Sequence, residues 1–326
     1  MAGVSRDPRA PTVFVTAPPA PWLARALEPV AARARLVADD DPAALAACAE
    51  EVDAVFAWPC ARAMLEPVWP RMRRLRWVHY SGAGVDHLLF PSLVEGPVVL
   101  TNSRDLYSDA VAEHALALML ALAKRVPEMV ADQVQRRWQH RESDPLEGKL
   151  LGIVGLGSIG RALARRARAL GMRVWGVRRG GAPVRGVERV LPADELDDLL
   201  AAADYVVVAV PLTAETRRLI DAERLRCMKP TACLINVARG EVVDEPALAR
   251  ALREGWLRAA ASDVFEQEPL PPTSRLYELP NLLISPHMAP NAAGWRDRTA
   301  ALFVDNFARY RSGRRLRNVV DKRRGY

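Results

Sequence analysis

Short apolar runs alternate with Ala-, Leu- and Arg-rich helical patterns along nearly the whole chain. A first series of runs lies at residues 12–17, 34–38, 53–58, 75–80 and 98–102. A second, more apolar series lies at residues 149–157, 172–177, 203–211, 231–238, 258–265 and 281–287. Strands that alternate with helices form βαβ units, and parallel strands buried on both faces are almost wholly apolar. We therefore predict an α/β protein with two doubly wound parallel sheets.

Composition and charge are those of an ordinary globular protein. The chain has 326 residues, half of them hydrophobic, and a net charge of +7, so it is long enough for two domains. The one basic run, the C-terminal "RSGRRLRNVVDKRRGY", lacks the interleaved aromatic residues of nucleic-acid-binding segments. We interpret it as a solvated polar tail and expect no nucleic-acid partner.

Cysteine usage and hydropathy argue against metal, disulfide and membrane chemistry. The cysteines form no CxxC pair and no zinc spacing; they are Cys48, Cys60, Cys227 and Cys233. Residues 1–15 hold no apolar stretch of signal-peptide type, and no apolar run approaches membrane-spanning length. We expect a cytoplasmic protein with reduced thiols, no metal and no membrane partner.

A glycine-rich turn opens the second series. The spacing G-x-G-x-x-G falls on Gly155, Gly157 and Gly160, between an apolar strand pattern and a helical pattern. The first glycine permits a tight turn, the second lets the backbone approach a pyrophosphate, and the third lets helix and strand pack closely. The N–H groups of Ser158 and Ile159 open the helix and would point at the phosphates. The turn predicts a dinucleotide site.

Two arginines follow the next strand pattern, at the position where an NAD site carries an acidic residue for the ribose 2′-hydroxyl. In "RVWGVRRGG" these are Arg178 and Arg179. Guanidinium groups bind a phosphate by bidentate hydrogen bonds, whereas a carboxylate would repel it. The pair therefore favours NADP over NAD, with NAD still possible, and one of the two arginines is expected to point to solvent.

The order of patterns predicts the domain organisation. A long helical pattern, residues 108–138, separates the two series, and a last amphipathic pattern follows residue 289 with no strand after it. We predict a first, substrate-binding domain of residues 1–103 completed by the C-terminal helix in 289–326. Residues 104–288 would form the dinucleotide-binding, Rossmann- or flavodoxin-like domain. The chain would then cross between the domains twice and leave an active-site cleft between them.

Three polar side chains follow strands of the second series. Arg239 comes after "LINVA", Glu268 lies just past "ASDVF", and His287 ends "LLISPH". In open α/β sheets the carboxyl ends of the strands are where ligands bind. The three residues therefore predict a reactive site opposite the glycine turn. We assign no catalytic role to the other histidines, and His114 is expected to serve helix packing.

The order of these segments resembles the D-isomer-specific 2-hydroxyacid dehydrogenase family. The resemblance is carried by "GLGSIG", "VPLTAETRRLID", "NVARGEVVDEPAL", "DVFEQEPLPP" and "NLLISPH", with "SGAGVDHL" and "TNSRDLYSDAVAEHALALMLAL" in the first half. It runs from about residue 50 to residue 312. The two arginines and "SPHMAP" are most similar to the glyoxylate and hydroxypyruvate reductase branch. The resemblance implies hydride transfer between NADP(H) and a small 2-oxoacid or D-2-hydroxyacid.

The resemblance also implies roles for individual residues. His287 would be the acid/base, Glu268 would hydrogen-bond its other ring nitrogen, and Arg239 would bind the substrate carboxylate. Backbone N–H groups of a glycine-rich turn in the first domain would complete the carboxylate pocket, at Gly82, Ala83 and Gly84. Further cofactor contacts are expected at Val210, Pro211, Thr216, Val237, Ala238 and Asp263, the last with a structural alternative as a turn residue.

The family implies a homodimer formed through the dinucleotide-binding domain. Trp138 would reach a neighbouring subunit's pocket or pack in the interface. Asp105 stands where the family often has a small residue or glycine. Two other functions remain open on the same fold: a non-catalytic NAD(P)-binding sensor or corepressor, and a phosphite- or formate-type dehydrogenase. Formate enzymes typically carry Gln where this chain has Glu268.

Overall fold

The computed structural model describes residues 10–326. These residues form two compact units, one built from the chain up to Tyr107 together with Ala293–Tyr326, the other from Ser108–Ala292. Each unit contains one wholly parallel sheet. The predicted fold class, α/β with two doubly wound sheets, is confirmed.

Most of the strands are shorter than the apolar runs that predicted them. Those of the first sheet are β1 (Thr12–Val15), β2 (Arg35–Ala38), β3 (Val52–Ala57), β4 (Trp77–Tyr80) and β5 (Val99–Asn102). Those of the second sheet are β6 (Leu150–Val154), β7 (Arg173–Val177), β8 (Arg189–Leu191), β9 (Tyr205–Val208), β10 (Cys233–Asn236), β11 (Ala259–Ser262) and β12 (Leu282–Ile284). Strand β8 was not predicted, because three residues at a sheet edge leave almost no apolar pattern.

Helices cover the sheets of both units. In the first unit they are α1 (Pro21–Ala26), α2 (Glu28–Ala31), α3 (Pro42–Cys48), α4 (Ala61–Val68), α5 (Pro91–Glu95) and, at the end of the chain, α12 (Trp295–Arg311). In the second unit they are α6 (Ser108–Ala123), α7 (Val126–Val134), α8 (Ser158–Ala169), α9 (Leu196–Ala202), α10 (Ala222–Cys227) and α11 (Glu245–Glu254). Across residues 10–326, none of the helices is long and apolar enough to cross a membrane.

The first sheet has the strand order β2-β1-β3-β4-β5. One of its faces packs on α12, where the Phe303 ring stacks at 4.4 Å on Phe56 and at 5.1 Å on Trp77. His79, fully buried beside these rings, pairs its Nδ1 with the Thr101 hydroxyl at 2.8 Å. Between β5 and α6, Asp105 has a φ of 73°, in the left-handed region that favours glycine and that Asp tolerates better than most residues.

The second sheet has the order β12-β11-β10-β9-β6-β7-β8. The chain starts at β6, runs outward to β8, and then returns to β9 on the other side of β6. The switch point of the topology therefore lies between β6 and β9, and ligands of such sheets bind outside the carboxyl ends of the strands at that point.

The register of β10, β11 and β12 aligns their carboxyl ends. Asn236 of β10 is paired with Ser262 of β11, and Ser262 is paired with Ile284 of β12. Segments that follow these residues therefore leave the sheet side by side. Strands β10 and β11 are buried, and α6 packs against both.

The sequence pattern indicated one long helix at residues 108–138, but the structure has two helices there. Helix α6 ends at Ala123 and α7 begins at Val126, with Arg125 between them at a φ of 55°. Pro127 lies in the first turn of α7, where its missing N–H costs no helical hydrogen bond, so the break falls just before it. Trp138 lies beyond the end of α7 and is 94 % exposed.

Candidate active site

The glycine-rich turn connects β6 to α8 and is fixed by close backbone contacts. Gly155 has a φ of 105°, and a Cβ there would lie 2.6 Å from the Ala209 carbonyl oxygen. A Cβ at Gly160 would lie 2.2 Å from the Gly155 oxygen. Gly157 differs, because a Cβ there would meet no atom within 4 Å. Packing therefore requires the first and third glycines, while the second borders open space.

Helix α8 begins at this turn without a side-chain cap. Gly157 is its N-cap, and within the described residues no side chain caps the first turn, whose N–H groups include those of Ser158 and Ile159. Such N–H groups, with the positive end of the helix dipole, bind anions. The turn thus has both the space and the donors that the pyrophosphate of a dinucleotide requires.

Arg178 and Arg179 follow β7 directly, before a turn in which Gly180 and Gly181 have φ values of 83° and 61°. The Arg178 side chain is half-buried and forms no ion pair within residues 10–326. Arg179 is exposed and lies near Glu215, whose pKa is lowered first by the Thr213 hydroxyl and also by the Arg179 charge. The two arginines thus differ in burial and in their charged neighbours.

The loop after β9 carries the predicted adenosine contacts. Val210 is half-buried and Pro211 is exposed. The Thr216 hydroxyl donates to the Pro211 carbonyl at 2.6 Å and accepts from the Thr213 N–H at 2.8 Å. Thr216 therefore closes the loop on itself.

Arg239 follows β10 in a turn that the Asn236 side chain stabilises by hydrogen bonds. The Asn236 amide donates to the Arg239 carbonyl at 2.9 Å, and its oxygen accepts from the Ala238 N–H at 3.0 Å. Val237 and Ala238 are buried, whereas Arg239 is half-buried. A Cβ on the next residue, Gly240, would lie 1.9 Å from the Phe265 carbonyl carbon, so this turn lies directly against the segment that carries Glu268.

Glu268 and His287 are paired. His287 Nδ1 lies 2.7 Å from Glu268 Oε2, and Glu268 Oε1 accepts from the Phe265 N–H at 2.9 Å. Burial alone would raise the pKa of Glu268, but the hydrogen bonds from His287 and Phe265, with the charges of His287 and Arg239, lower it. The carboxylate holds a proton on Nδ1, and Nε2 has no hydrogen-bond partner in the described chain.

Asp263 hydrogen-bonds to the loop that carries His287. It is 1 % exposed, and its carboxylate accepts from the Ser285 hydroxyl at 2.5 Å, the Met288 N–H at 2.9 Å and the Ala289 N–H at 3.0 Å. Burial would raise its pKa, but hydrogen bonds from His114, Ser285 and these two amides lower it. Much of its acceptor capacity is thus used within the protein.

The second unit thus brings Arg239, Glu268 and His287 together at one sheet edge. Gly82, Ala83 and Gly84 belong to the first unit, in the loop after β4, where the Ala83 carbonyl accepts from the Asn102 amide at 2.5 Å and the Gly82 carbonyl accepts from the Ser103 N–H at 2.9 Å. Sequence reasoning missed the links from His114 and Ser285 to Asp263, since neither residue carries a distinctive local pattern.

Comparison with known proteins identifies the family to which this chain is similar. The model of the "D-isomer specific 2-hydroxyacid dehydrogenase, NAD binding domain" family matches residues 116–289. A glyoxylate reductase from Thermococcus kodakarensis is 39 % identical over 260 residues, which cover 76 % of this chain and 77 % of the relative.

Two solved structures match nearly the whole chain. A D-isomer specific 2-hydroxyacid dehydrogenase family protein from Aeromonas salmonicida is 34 % identical, with a TM-score of 0.85 and coverage of 96 % of this chain and 100 % of that one. An NADPH-dependent glyoxylate/hydroxypyruvate reductase from Sinorhizobium meliloti, in complex with NADP and sulfate, is 28 % identical, with a TM-score of 0.85 and coverage of 97 % and 100 %. This chain therefore belongs to the D-isomer specific 2-hydroxyacid dehydrogenase family of NAD(P)-dependent oxidoreductases.

Proposed function

We propose that this protein reduces a small 2-oxoacid, such as glyoxylate or hydroxypyruvate, with NADPH, and oxidises the D-2-hydroxyacid in reverse. The observation that carries the proposal is the 2.7 Å pair between His287 Nδ1 and Glu268 Oε2, which leaves Nε2 for proton transfer. The similar glyoxylate reductases, at 39 % identity, support the substrate class.

The proton of the reaction is supplied by His287. A bound nicotinamide would supply the hydride that reduces the carbonyl carbon. The His287 imidazolium gives its Nε2 proton to the carbonyl oxygen, and the product is a hydroxyl group. Glu268, ionised because its pKa is lowered, stabilises the imidazolium through Nδ1 and keeps the ring in one orientation.

Arg239 binds the substrate carboxylate. Its guanidinium is a permanent cation with the fork geometry that matches a carboxylate, and Asn236 fixes its backbone. Recognition of this kind selects acids over neutral aldehydes and ketones.

The cofactor is held at the switch point between β6 and β9. The N–H groups at Gly157, Ser158 and Ile159 would bind the pyrophosphate, and Val210 and Pro211 would contact the adenosine. Val237 and Ala238 would line the site of the nicotinamide ring. Asp263 would support that site by its hydrogen bonds to the loop that carries His287. Arg178 reads the 2′-phosphate of NADP, while Arg179 adds positive charge nearby.

Exposed apolar residues near α7 support the homodimer. Val130, Val134 and Trp138 lie at four-residue spacing, and the last two are 79 % and 94 % exposed. Burial of these side chains against a second copy would remove their apolar surface from water. We expect light scattering to give a dimer mass for the wild type and a monomer for Val134→Glu. Leu170→Glu, at an exposed position just after the end of α8 in the same unit, is the matched control.

The decisive experiment measures NADPH consumption by purified protein with glyoxylate, hydroxypyruvate and larger 2-oxoacids, and repeats each assay with NADH. We expect turnover with at least one small 2-oxoacid and higher kcat/KM with NADPH. Tight NADPH binding without turnover on any acid would contradict the proposal and favour a sensor. Reduction of NADP⁺ or NAD⁺ by phosphite or formate, without turnover of any 2-oxoacid, would favour the other dehydrogenase class.

A further inference from the structure

A histidine far away in sequence reaches the loop that carries His287. His114, on α6, places Nε2 at 2.9 Å from the Ser285 hydroxyl and 3.3 Å from Asp263 Oδ1. The His114 and Ser285 partners are 171 residues apart along the chain. Helix α6 packs against β10 and β11, so the imidazole projects from a fixed support.

The hydrogen-bond partners of His114, Ser285 and Asp263 determine which atoms carry the protons. Ser285 has one hydroxyl proton, and it is donated to Asp263 Oδ1 at 2.5 Å. The Ser285 oxygen must therefore accept from His114, which places a proton on His114 Nε2. Every group that faces the Asp263 carboxylate is then a donor, as an ionised carboxylate buried to 1 % exposure requires.

Asp263 uses this charge to hold the backbone on both sides of the reactive histidine. Its carboxylate accepts the Met288 and Ala289 N–H groups at 2.9 Å and 3.0 Å, and its main-chain carbonyl accepts the His287 N–H at 2.8 Å. His287 itself has a φ of 48°, a left-handed conformation that is unfavourable for a residue with a Cβ. The conformation persists because these three bonds hold it.

We propose that His114 is a positioning residue that, through Ser285 and Asp263, keeps residues 287–289 in the conformation that presents the His287 ring to Glu268. As a statement about catalysis this rests on the proposed function, whereas the structural link does not. Without the His114 donor, Ser285 loses one of its partners. Asp263 Oδ1 also loses its 3.3 Å contact with His114 Nε2. The carboxylate then has fewer donors to offset its burial, and its hold on the loop weakens.

Two substitutions of His114 distinguish loss of the N–H donor from a change in side-chain volume. His114→Leu removes the N–H donor and keeps an apolar side chain, whereas His114→Gln keeps an N–H at similar reach. Leu118→Ala, a buried residue on the same helix, is the control for general loss of stability. Ser285→Ala removes the connecting hydroxyl and serves as a second route should His114→Leu fail to fold.

The direct readout is hydrogen exchange of the full-length protein without substrate. We expect the Met288 and Ala289 amides to exchange about 10-fold faster in His114→Leu and in Ser285→Ala than in the wild type, because the bonds to Asp263 open more often. His114→Gln should restore slow exchange. Leu118→Ala should lower Tm without accelerating these two amides relative to their neighbours.

The kinetic readout is a split between kcat and KM. In His114→Leu we expect kcat to fall by roughly 10-fold or more, since ~1 Å of misplacement can cost about 10²-fold. KM for the 2-oxoacid should stay within about twofold, because Arg239 is held by Asn236 rather than by this cluster. The double variant with Ser285→Ala should be little worse than either single variant, as expected for residues that act in one chain.

The outcomes distinguish this inference from the proposed function. If the wild type turns over no 2-oxoacid, the proposed function fails, and exchange at Met288 and Ala289 still decides whether His114 holds the loop. If His114→Leu leaves both exchange and kcat as in the wild type, the inference is overturned. An equal loss in His114→Leu and Leu118→Ala, with no rescue by His114→Gln, overturns it too, because general destabilisation would then be sufficient.

Discussion

Glu268 binds the His287 ring with one carboxylate oxygen, Oε2 at 2.7 Å from Nδ1, while its other oxygen accepts the Phe265 N–H at 2.9 Å. The carboxylate is thus fixed by the backbone of its own loop before it orients the imidazole. A carboxylate that the backbone anchors at one oxygen fixes the orientation of the ring that its other oxygen binds.

His287→Ala removes the proposed proton donor. We expect kcat for 2-oxoacid reduction to fall by about 10²–10⁴-fold, the range for loss of one acid/base group. Binding of NADPH, followed by fluorescence, should be little changed, since the glycine turn is untouched. His140→Ala, an exposed histidine, is the control and should have wild-type kcat. Normal turnover of His287→Ala would remove the residue from the mechanism.

Glu268→Gln tests the charge of the pair. The amide oxygen still accepts the Nδ1 proton, but the neutral side chain stabilises the imidazolium less. Reduction requires the imidazolium, so kcat/KM for the 2-oxoacid should be lower in the variant than in the wild type. Steady-state kinetics of 2-oxoacid reduction measure this loss. Equal kcat/KM in the variant and the wild type would mean that the charge of Glu268 does not assist proton transfer by His287.

Arg239→Ala removes the proposed partner of the substrate carboxylate. We expect kcat/KM for the 2-oxoacid to fall by roughly 10- to 100-fold, since a hydrogen bond to a charged group contributes about 1.5–3 kcal/mol. Arg217→Ala is the control, because that exposed arginine lies 4.0 Å from Glu241 near the same segment. If the two variants have equal kcat/KM, some other cation binds the carboxylate.

Arg178→Asp tests the choice of cofactor. A carboxylate at the end of β7 accepts the ribose 2′-hydroxyl and repels a 2′-phosphate, so the ratio of kcat/KM for NADPH to that for NADH should fall. Arg179→Asp is the matched neighbour and should change the ratio less, because Arg179 lies near Glu215. An unchanged ratio in Arg178→Asp would mean that Arg179 or another group reads the phosphate.

His79 makes the stability of the first unit depend on pH. Burial lowers its pKa to about 3, so between that value and the usual 6.5 the unfolded chain binds a proton that the folded chain does not. The free energy of unfolding therefore falls as pH falls, by about 2 kcal/mol from pH 6.5 to pH 5 for this one group.

Urea unfolding at the two pH values, followed by tryptophan fluorescence, measures this loss. His79→Leu should lose about 2 kcal/mol less than the wild type over the same interval, since the titrating group is gone. Thr101 keeps its bond from Trp77 Nε1 at 2.8 Å in that variant, so no buried polar group is newly orphaned there. His140→Leu should behave as the wild type. Equal losses in His79→Leu and the wild type would exclude His79 as the source.

The strands illustrate what pattern alone predicts well. Runs such as "ADYVVVAVP" are long and apolar because their strands are buried on both faces, and burial is a property that the sequence records. Strand β8 and the break at Arg125 were missed for opposite reasons. An edge strand of three residues needs little apolar surface, and the Ala- and Leu-rich pattern continues through a break that Pro127 and the backbone decide.

The sequence by itself determined the alternation of strands and helices, the glycine turn that α8 requires, and the residue types at the sheet edge. These depend on local backbone conformation and on which side chains tolerate burial, and both are properties of short segments. Only the tertiary structure decided that Asn236, Ser262 and Ile284 end in register. It also decided that His114 meets Ser285 across 171 residues and that Asp263 holds the His287 loop. Such partners are selected by sheet order and helix packing, which bring distant segments together and leave no periodic trace in the chain.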